Sequence, residues 1–176
     1  MLTNLGTTSV GVFYVQKFNA MNNRMLQHID IKNVLPTATD VAVLIKKLDE
    51  YQISLYGIKA CNLESPESLA KNGAFMLGAY VNDQLCGIGS VKLVKDYAEV
   101  KRMFVDEQYR GLAIADQLLN ALMEHVKAEG ISEVFLETGN LHHAAIRFYL
   151  KHGFRQVDSF GKYKPNGVSI YFGRSL

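Results

Sequence analysis

Three strand-like stretches in unbroken succession, separated only by short turns, restrict this chain more than any other feature. Phe75–Val81 is followed by Asn82-Asp83, Cys86–Val94 by Lys95-Asp96, and Tyr97–Val105 closes the series. Turns this short leave no room for a crossover, so the three strands are predicted to pair antiparallel. The third leads into the strongest helical pattern of the chain, Leu112–Glu129. There Ala115, Leu118, Leu119, Leu122, Met123 and Val126 share one apolar face and Gly130 supplies the stop. Glu133–Glu137 then reads as a buried strand, which makes a central β-α-β unit.

The flanking elements follow from the same signals. His28–Val34 alternates apolar and polar residues and ends at Pro36; Thr37 or Thr39 is expected to cap a helix reaching about Tyr51, with Val41, Leu44, Ile45 and Leu48 on its apolar face. Ser65-Pro66-Glu67-Ser68 opens a short helix that ends near Asn72-Gly73. Residues 142–152 form a further helix closed by Gly153, and Arg155–Phe160 and Val168–Phe172 read as strands around the turn Lys164-Pro165-Asn166-Gly167. The predicted fold is α/β, a mixed α+β sheet of order β-α-α-β-β-β-α-β-α-β-β, mostly antiparallel with one parallel unit. Residues 1–27, rich in Asn and Thr, read as an N-terminal extension in which Ser9–Phe18 could be a strand or a short helix. Residues 28–176 are expected to be a single domain.

Composition narrows the function. A net charge of +2 on 176 residues, with no dense Lys/Arg stripe, argues against nucleic acid as a partner. Cys61 and Cys86 form no CxxC pair and are expected to be reduced thiols. No apolar run approaches the roughly 20 residues of a membrane span, and the N-terminus lacks the features of a signal peptide. A cytoplasmic protein without a membrane association is expected.

The segment Gln108-Tyr109-Arg110-Gly111-Leu112-Ala113-Ile114-Ala115 joins a strand to the best helix. A helix start exposes unpaired N–H groups and the positive end of the helix dipole, which suit a phosphate. Gly111, Ala113 and Ala115 keep the approach open and Arg110 adds a cation. There is no Gly-Lys-Ser/Thr of a Walker loop, and only one glycine where a dinucleotide fingerprint needs three. On these residues alone, a tight turn with small residues for packing explains the segment equally well.

In Gln108, Gly111 and Ala113 the chain resembles the GNAT superfamily of acyl-CoA-dependent N-acyltransferases, whose signature is Gln/Arg-x-x-Gly-x-Gly/Ala at such a turn. The preceding strand Tyr97–Val105 matches as well, and so does Ala145-Ile146-Arg147-Phe148-Tyr149-Leu150-Lys151-His152-Gly153-Phe154. The likeness covers about residues 28–176, element order included, and Leu136–Gly139 with the tail around Tyr163 and Ser169 resembles a bacterial subgroup of mostly unassigned substrate. It implies an acetyl-CoA-dependent N-acetyltransferase without a metal, acting on a small-molecule or peptide amine by direct attack in a ternary complex. Homodimers are common in the family. Two positions depart from the pattern: His142 stands where many members carry Asn, and Ala113 where Gly is commoner.

The resemblance also assigns candidate roles. Tyr149 would act as the acid toward the departing thiolate; read without the motif it is a core aromatic. Glu99 would accept the amine proton, with Glu137 as the weaker choice; its plain reading is an ion pair with Lys101 on the same strand face. Met103, Phe104 and Val105 would bind the pantetheine arm through their main chain. Gln108, Arg110, Gly111, Leu112, Ala113, Ile114 and Ala115 would bind the cofactor, with His142 at the departing position. Adjacent helical residues diverge by about 100°, so His142-His143 does not read as a metal site. Ser65–Ser68 and the Tyr163 region would line the acceptor pocket. A non-catalytic module that binds or senses acyl-CoA on the same fold is the alternative, and a nucleotide-binding domain is disfavoured because no Lys-Ser/Thr pair is present for Mg²⁺.

Overall fold

The computed structural model describes residues 28–176; the extension assigned to residues 1–27, with the strand or helix expected at Ser9–Phe18, lies outside them. Seven strands, β1 (Ile29–Asn33), β2 (Phe75–Val81), β3 (Gln84–Val94), β4 (Tyr97–Val105), β5 (Glu133–Gly139), β6 (Arg155–Val157) and β7 (Ser169–Ser175), form one sheet of order β1-β2-β3-β4-β5-β7-β6. With α1 (Thr39–Tyr56), α2 (Pro66–Lys71), α3 (Ile114–Ala128) and α4 (His143–Lys151), the chain order is the one its patterns predict. Every strand pair is antiparallel except β4 with β5. Among the described residues, no helix is long and apolar enough to cross a membrane.

Several boundaries differ from the expectation. Neither Thr37 nor Thr39 caps α1: a turn from the Leu35 carbonyl to the Ala38 N–H (3.0 Å) leaves Ala38 at the cap, and it makes no side-chain bond. The Asp40 carboxylate takes the Val41 N–H instead (2.9 Å). The helix also continues past Tyr51 to Tyr56, where Gly57 ends it at φ 72°. Ser65 does cap α2, accepting from the Ser68 N–H at 3.2 Å. Helix α3 starts at Ile114 rather than Leu112 because Gly111 and Ala113 are left-handed (φ 86° and 56°). Strand β6 stops at Val157 because Phe160 leaves the sheet direction to stack on Phe135, ring centroids 5.1 Å apart.

Alternation along the strands sends apolar side chains to both faces, so helices cover both. On one face Met76 and Ile88 pack with Val41, Leu44 and Ile45 of α1 and Leu69 of α2. On the other, Leu77, Val91 and Val100 pack with Leu118, Leu119 and Leu122 of α3 and with Tyr149 of α4. Glycines in β3 permit the close fit of α3: a Cβ at Gly87 would come within 2.9 Å of Ile114 Cγ2, and one at Gly89 within 3.1 Å of Leu122 Cδ1.

The parallel pairing of β4 with β5 is short. It spans only Ala98–Val100 against Val134–Leu136, after which the two strands part. The cause lies on the other edge of β4. There Ser90 pairs with Lys101 and Ile88 with Phe104, so Arg102 and Met103 together oppose Gly89 in a bulge. Arg102 adopts the left-handed region (φ 55°), a strained state for a side-chain-bearing residue. Its buried guanidinium compensates by bonding to the Asp49 carboxylate on α1 and to the Glu64 carbonyl before α2. One residue thus bends β4 and ties the bend to both helices of that face.

Arg102→Ala is expected to lower the unfolding free energy by about 3 kcal/mol, because it strands Asp49 and leaves the strained backbone unsupported. Arg102→Gly should lose roughly 0.5–1 kcal/mol less, since glycine adopts positive φ without a Cβ clash. Urea unfolding of both variants measures the difference, and equal losses would show that the backbone at 102 carries no strain.

Candidate functional site

Where β4 and β5 part, the backbone of residues 101–105 has β3 on one side and no β5 partner on the other. The gap opens into a cavity of about 260 Å³ bordered by Met103, Phe104 and Val105 of β4, Tyr51 of α1, and His142, Phe148 and Tyr149 at α4. Val105, Arg110 and Ala115 also border a neighbouring hollow of about 340 Å³ that includes Gly111, Ala113, Ile114 and Lys151. The two form one trough running from Tyr149 to the first turn of α3. Gln108 borders a third hollow that meets the trough at Arg110 and Phe104. Leu112 is half-buried and packs on the α3 core.

The α3 end of the trough is rich in donors. The first bond of that helix runs from the Gln117 N–H to the Ala113 carbonyl (3.1 Å). Among the described residues, no backbone carbonyl accepts from the N–H groups of residues 111–116. Beyond the Cα of Gly111 the space is open. The one acid in this turn, Asp116, is engaged by Lys151 (2.6 Å) and His152 (3.1 Å), and Lys151 holds its carboxyl below the usual range. An anion of phosphate size fits such a donor set.

The other end is mostly apolar with two polar groups. Tyr149 is buried against Phe148 and Phe154, and burial raises its phenol pKa well above the ordinary value. His142 precedes α4, stacks on Tyr51 with centroids 5.1 Å apart, and has Nδ1 3.4 Å from the Thr138 hydroxyl. Burial lowers its pKa, which favours the neutral ring, and its Nε2 is buried without a partner among the described residues. An unpaired β edge, unpaired helix amides and an orphaned imidazole nitrogen together fit a long, polar, phosphate-bearing ligand.

Glu99 does not border this trough. It lies four residues earlier on β4, where its carboxylate accepts from Tyr163 (2.5 Å) and from Lys101 (3.1 Å). Lys101 also bonds the Tyr163 hydroxyl (3.0 Å) and approaches Glu64 (3.4 Å). Burial and the Glu99 carboxylate raise the Tyr163 phenol far above its ordinary pKa. Glu137 is bound separately by Asn62 (3.1 Å) and Ser169 (2.5 Å). The structure therefore brings Tyr149, Met103–Val105, Arg110, the α3 turn and His142 together, and sets Glu99 apart in a network of its own. The sequence pattern missed Tyr51, Lys151 and the Tyr163–Glu99 bond. Tyr51 stands one turn beyond Leu48, at the i+3 spacing that could have placed it on the same helix face. No local spacing joins Tyr163 to Glu99.

The site is thus a seven-stranded sheet with a forked parallel pair and a donor-rich helix start at the fork. The model of the acetyltransferase (GNAT) family matches residues 44–154. An IAA acetyltransferase from Azospirillum brasilense is 32% identical over 153 residues, 86% of this chain and 100% of that protein. A candidate acyl-CoA N-acyltransferase from Klebsiella pneumoniae superposes with a TM-score of 0.72 at 26% identity, covering 84% of this chain and 97% of that one. PaiA N-acetyltransferase from Thermoplasma acidophilum, solved with coenzyme A, shares the fold with a TM-score of 0.65 at 22% identity over 85% and 99% of the two chains. The chain belongs to the GNAT acetyltransferase family and is an N-acetyltransferase.

The network around Glu64 carries a pH signature. Burial alone would raise its carboxyl, but bonds from Asn72 (2.9 Å) and Lys92 (3.1 Å), with Lys101 nearby, overturn this and hold it at about 2 against an ordinary 4.5. A carboxyl depressed on folding stabilises the fold above its unfolded pKa, and the contribution is lost as pH falls from about 4.5 toward 2. Glu64→Gln should therefore lower stability at pH 7 by about 1–2 kcal/mol after allowance for solvent screening, and by less at pH 3. Urea unfolding at both pH values reads this directly. The same loss at both would remove the assignment.

Proposed function

We propose that this protein transfers the acetyl group of acetyl-CoA to a primary amine by direct attack in a ternary complex, with the β4–β5 fork as the reaction centre. The supporting observation is the single trough that joins the unpaired edge of β4, the amides opening α3 and Tyr149. Acetyl-CoA would supply an acyl group already activated as a thioester. The N–H groups of residues 111–116 and the Arg110 guanidinium would hold its diphosphate, with Gln108, Leu112, Ala113, Ile114 and Ala115 shaping the turn. The main chain of Met103, Phe104 and Val105 would hold the pantetheine arm like an added strand and offer an N–H to the reacting carbonyl. His142 Nε2, which has no partner among the described residues, would supply a further polar contact to the arm.

The side chains then manage protons. Tyr149, whose burial keeps the phenol protonated at neutral pH, would donate to the departing sulfur. Glu99 would receive the proton lost by the amine, with the Tyr163 hydroxyl standing between the carboxylate and the acceptor side. No side chain need form a covalent intermediate, because holding both substrates in the fork supplies much of the rate.

Coenzyme A and acetyl-CoA, but not ATP, should raise the melting temperature, because a ligand that binds only the native state stabilises it. Tyr149→Phe should lower kcat for thiol release about 100-fold while preserving the coenzyme A-induced shift. Unchanged turnover in the variant would dismiss Tyr149 as the acid, and a shift with ATP but not coenzyme A would dismiss the whole reading.

A further inference from the structure

Tyr163, which donates to Glu99, also borders a separate cavity of about 570 Å³, whose lysines no step above uses. Lys59, beyond α1, and Lys162 and Lys164, in the loop between β6 and β7, line it together with Asn62 and Tyr163. Among the described residues, none of the three lysines lies within 4.0 Å of a carboxylate. Residues 1–27 contain no Asp or Glu that could neutralise them. Three cations converging on one concave surface without an acidic partner create a positive local potential.

Two neutral lining residues connect the cavity to carboxylates. Asn62 borders this cavity and also the small pocket that contains Glu137, to which its amide donates at 3.1 Å. Tyr163 borders it and donates to Glu99 at 2.5 Å. Two carboxylates therefore stand behind lining residues of a cavity whose own charged groups are ammonium: Glu137 behind Asn62, and Glu99, in the last paired stretch of β4 before the fork, behind Tyr163. A ligand that complements this arrangement carries an amine at one end and an anion at the other.

We propose that the acceptor is a small primary amine that also bears an anionic group, a carboxylate or a phosphate, which Lys59, Lys162 and Lys164 hold while the amine points past Tyr163 toward the fork. This rests on the acetyltransfer proposed above and names its acceptor class. The same arrangement selects against polyamines, whose second ammonium would meet the lysines. An α-amino acid fits the polarity with a carboxylate, and O-phosphoethanolamine fits it with a phosphate.

The test compares thiol release from saturating acetyl-CoA with the twenty L-amino acids, each against its C-terminal amide, with O-phosphoethanolamine and spermidine as further arms. Rates are referred to the neutral amine, because an amide lowers the pKa of its neighbouring amine. At least one acid should exceed its amide by about tenfold in kcat/KM, the sum of two or three modest ion pairs. The preference should shrink with added salt and fall below about twofold in Lys162→Gln/Lys164→Gln, while the coenzyme A-induced melting shift persists. Turnover of O-phosphoethanolamine but of no amino acid would assign the anion as phosphate. Amides equal to acids, spermidine as the best substrate, or an acid preference that survives the double variant would overturn the proposal and leave the acetyltransfer reading standing. If no amine releases thiol, equilibrium dialysis of the radiolabelled acids and O-phosphoethanolamine against coenzyme A-saturated protein decides: selective binding lost in the double variant supports the anionic class, and its absence refutes it. A protein that coenzyme A does not stabilise loses both readings.

Discussion

The parting of β4 from β5 is the feature on which the rest of the molecule depends. A parallel pair normally satisfies the backbone on both strands, and here it does so for only three residues of each before the ladder ends. The unpaired N–H and C=O groups left behind would be unfavourable in a closed core. They are tolerable at the border of a cavity, where a ligand or water can bond them. The bulge that initiates this parting places Arg102 in a strained backbone state. The strain is met by bonds from the same residue to α1 and to the segment before α2. The geometry of the fork is thus tied to α1 and to the segment before α2 through one side chain.

The charge arrangement follows from the same frame. After the bulge β4 turns apolar toward the trough, with Met103, Phe104 and Val105; before it, Glu99 and Lys101 enter the polar network with Tyr163 and Glu64. One strand therefore supplies a low-polarity wall and a charged wall, a few residues apart. Burial around Tyr149 keeps its phenol protonated, while Glu99 sits in a network of charged and polar groups. A single uniform environment could not serve both ends.

Element order and the parallel unit were legible because they depend on local periodicity and short turns. Asn82-Asp83 announces a hairpin, and both residues do take the positive φ such a turn needs. The helix-start signal at Ser65 was legible for the same reason, since Ser and the N–H it caps are three residues apart. At Ala38 that logic failed: two threonines with good capping chemistry lost to a turn at Leu35–Ala38 that fixed where the helix could begin. The onset of α3 was misplaced by two residues because left-handed alanine has no sequence signal; only Gly111 advertised a tight turn. Arg102 is the larger omission. Nothing in Val-Lys-Arg-Met-Phe distinguishes a bulge from a regular strand, since the cause is the register of β3 opposite and partners on α1 and ahead of α2.

The candidate site divides along the same line. Its cofactor side is built largely from main-chain groups of consecutive residues, so a motif of fixed spacing can report it. The proposed acceptor side is built from side chains brought together from three distant stretches, around residues 59–64, 99–101 and 162–169. Here a spacing rule has nothing to grip. Lys101 shows how far this matters: beside Glu99 in the strand it reads as an ordinary cross-residue pair, yet in the fold the same ammonium also meets Tyr163 and Glu64. Because opposite charges so placed fix one another's positions, a change in any of the three stretches would reshape the acceptor wall while the trough beneath α3, made of backbone, stayed as it is.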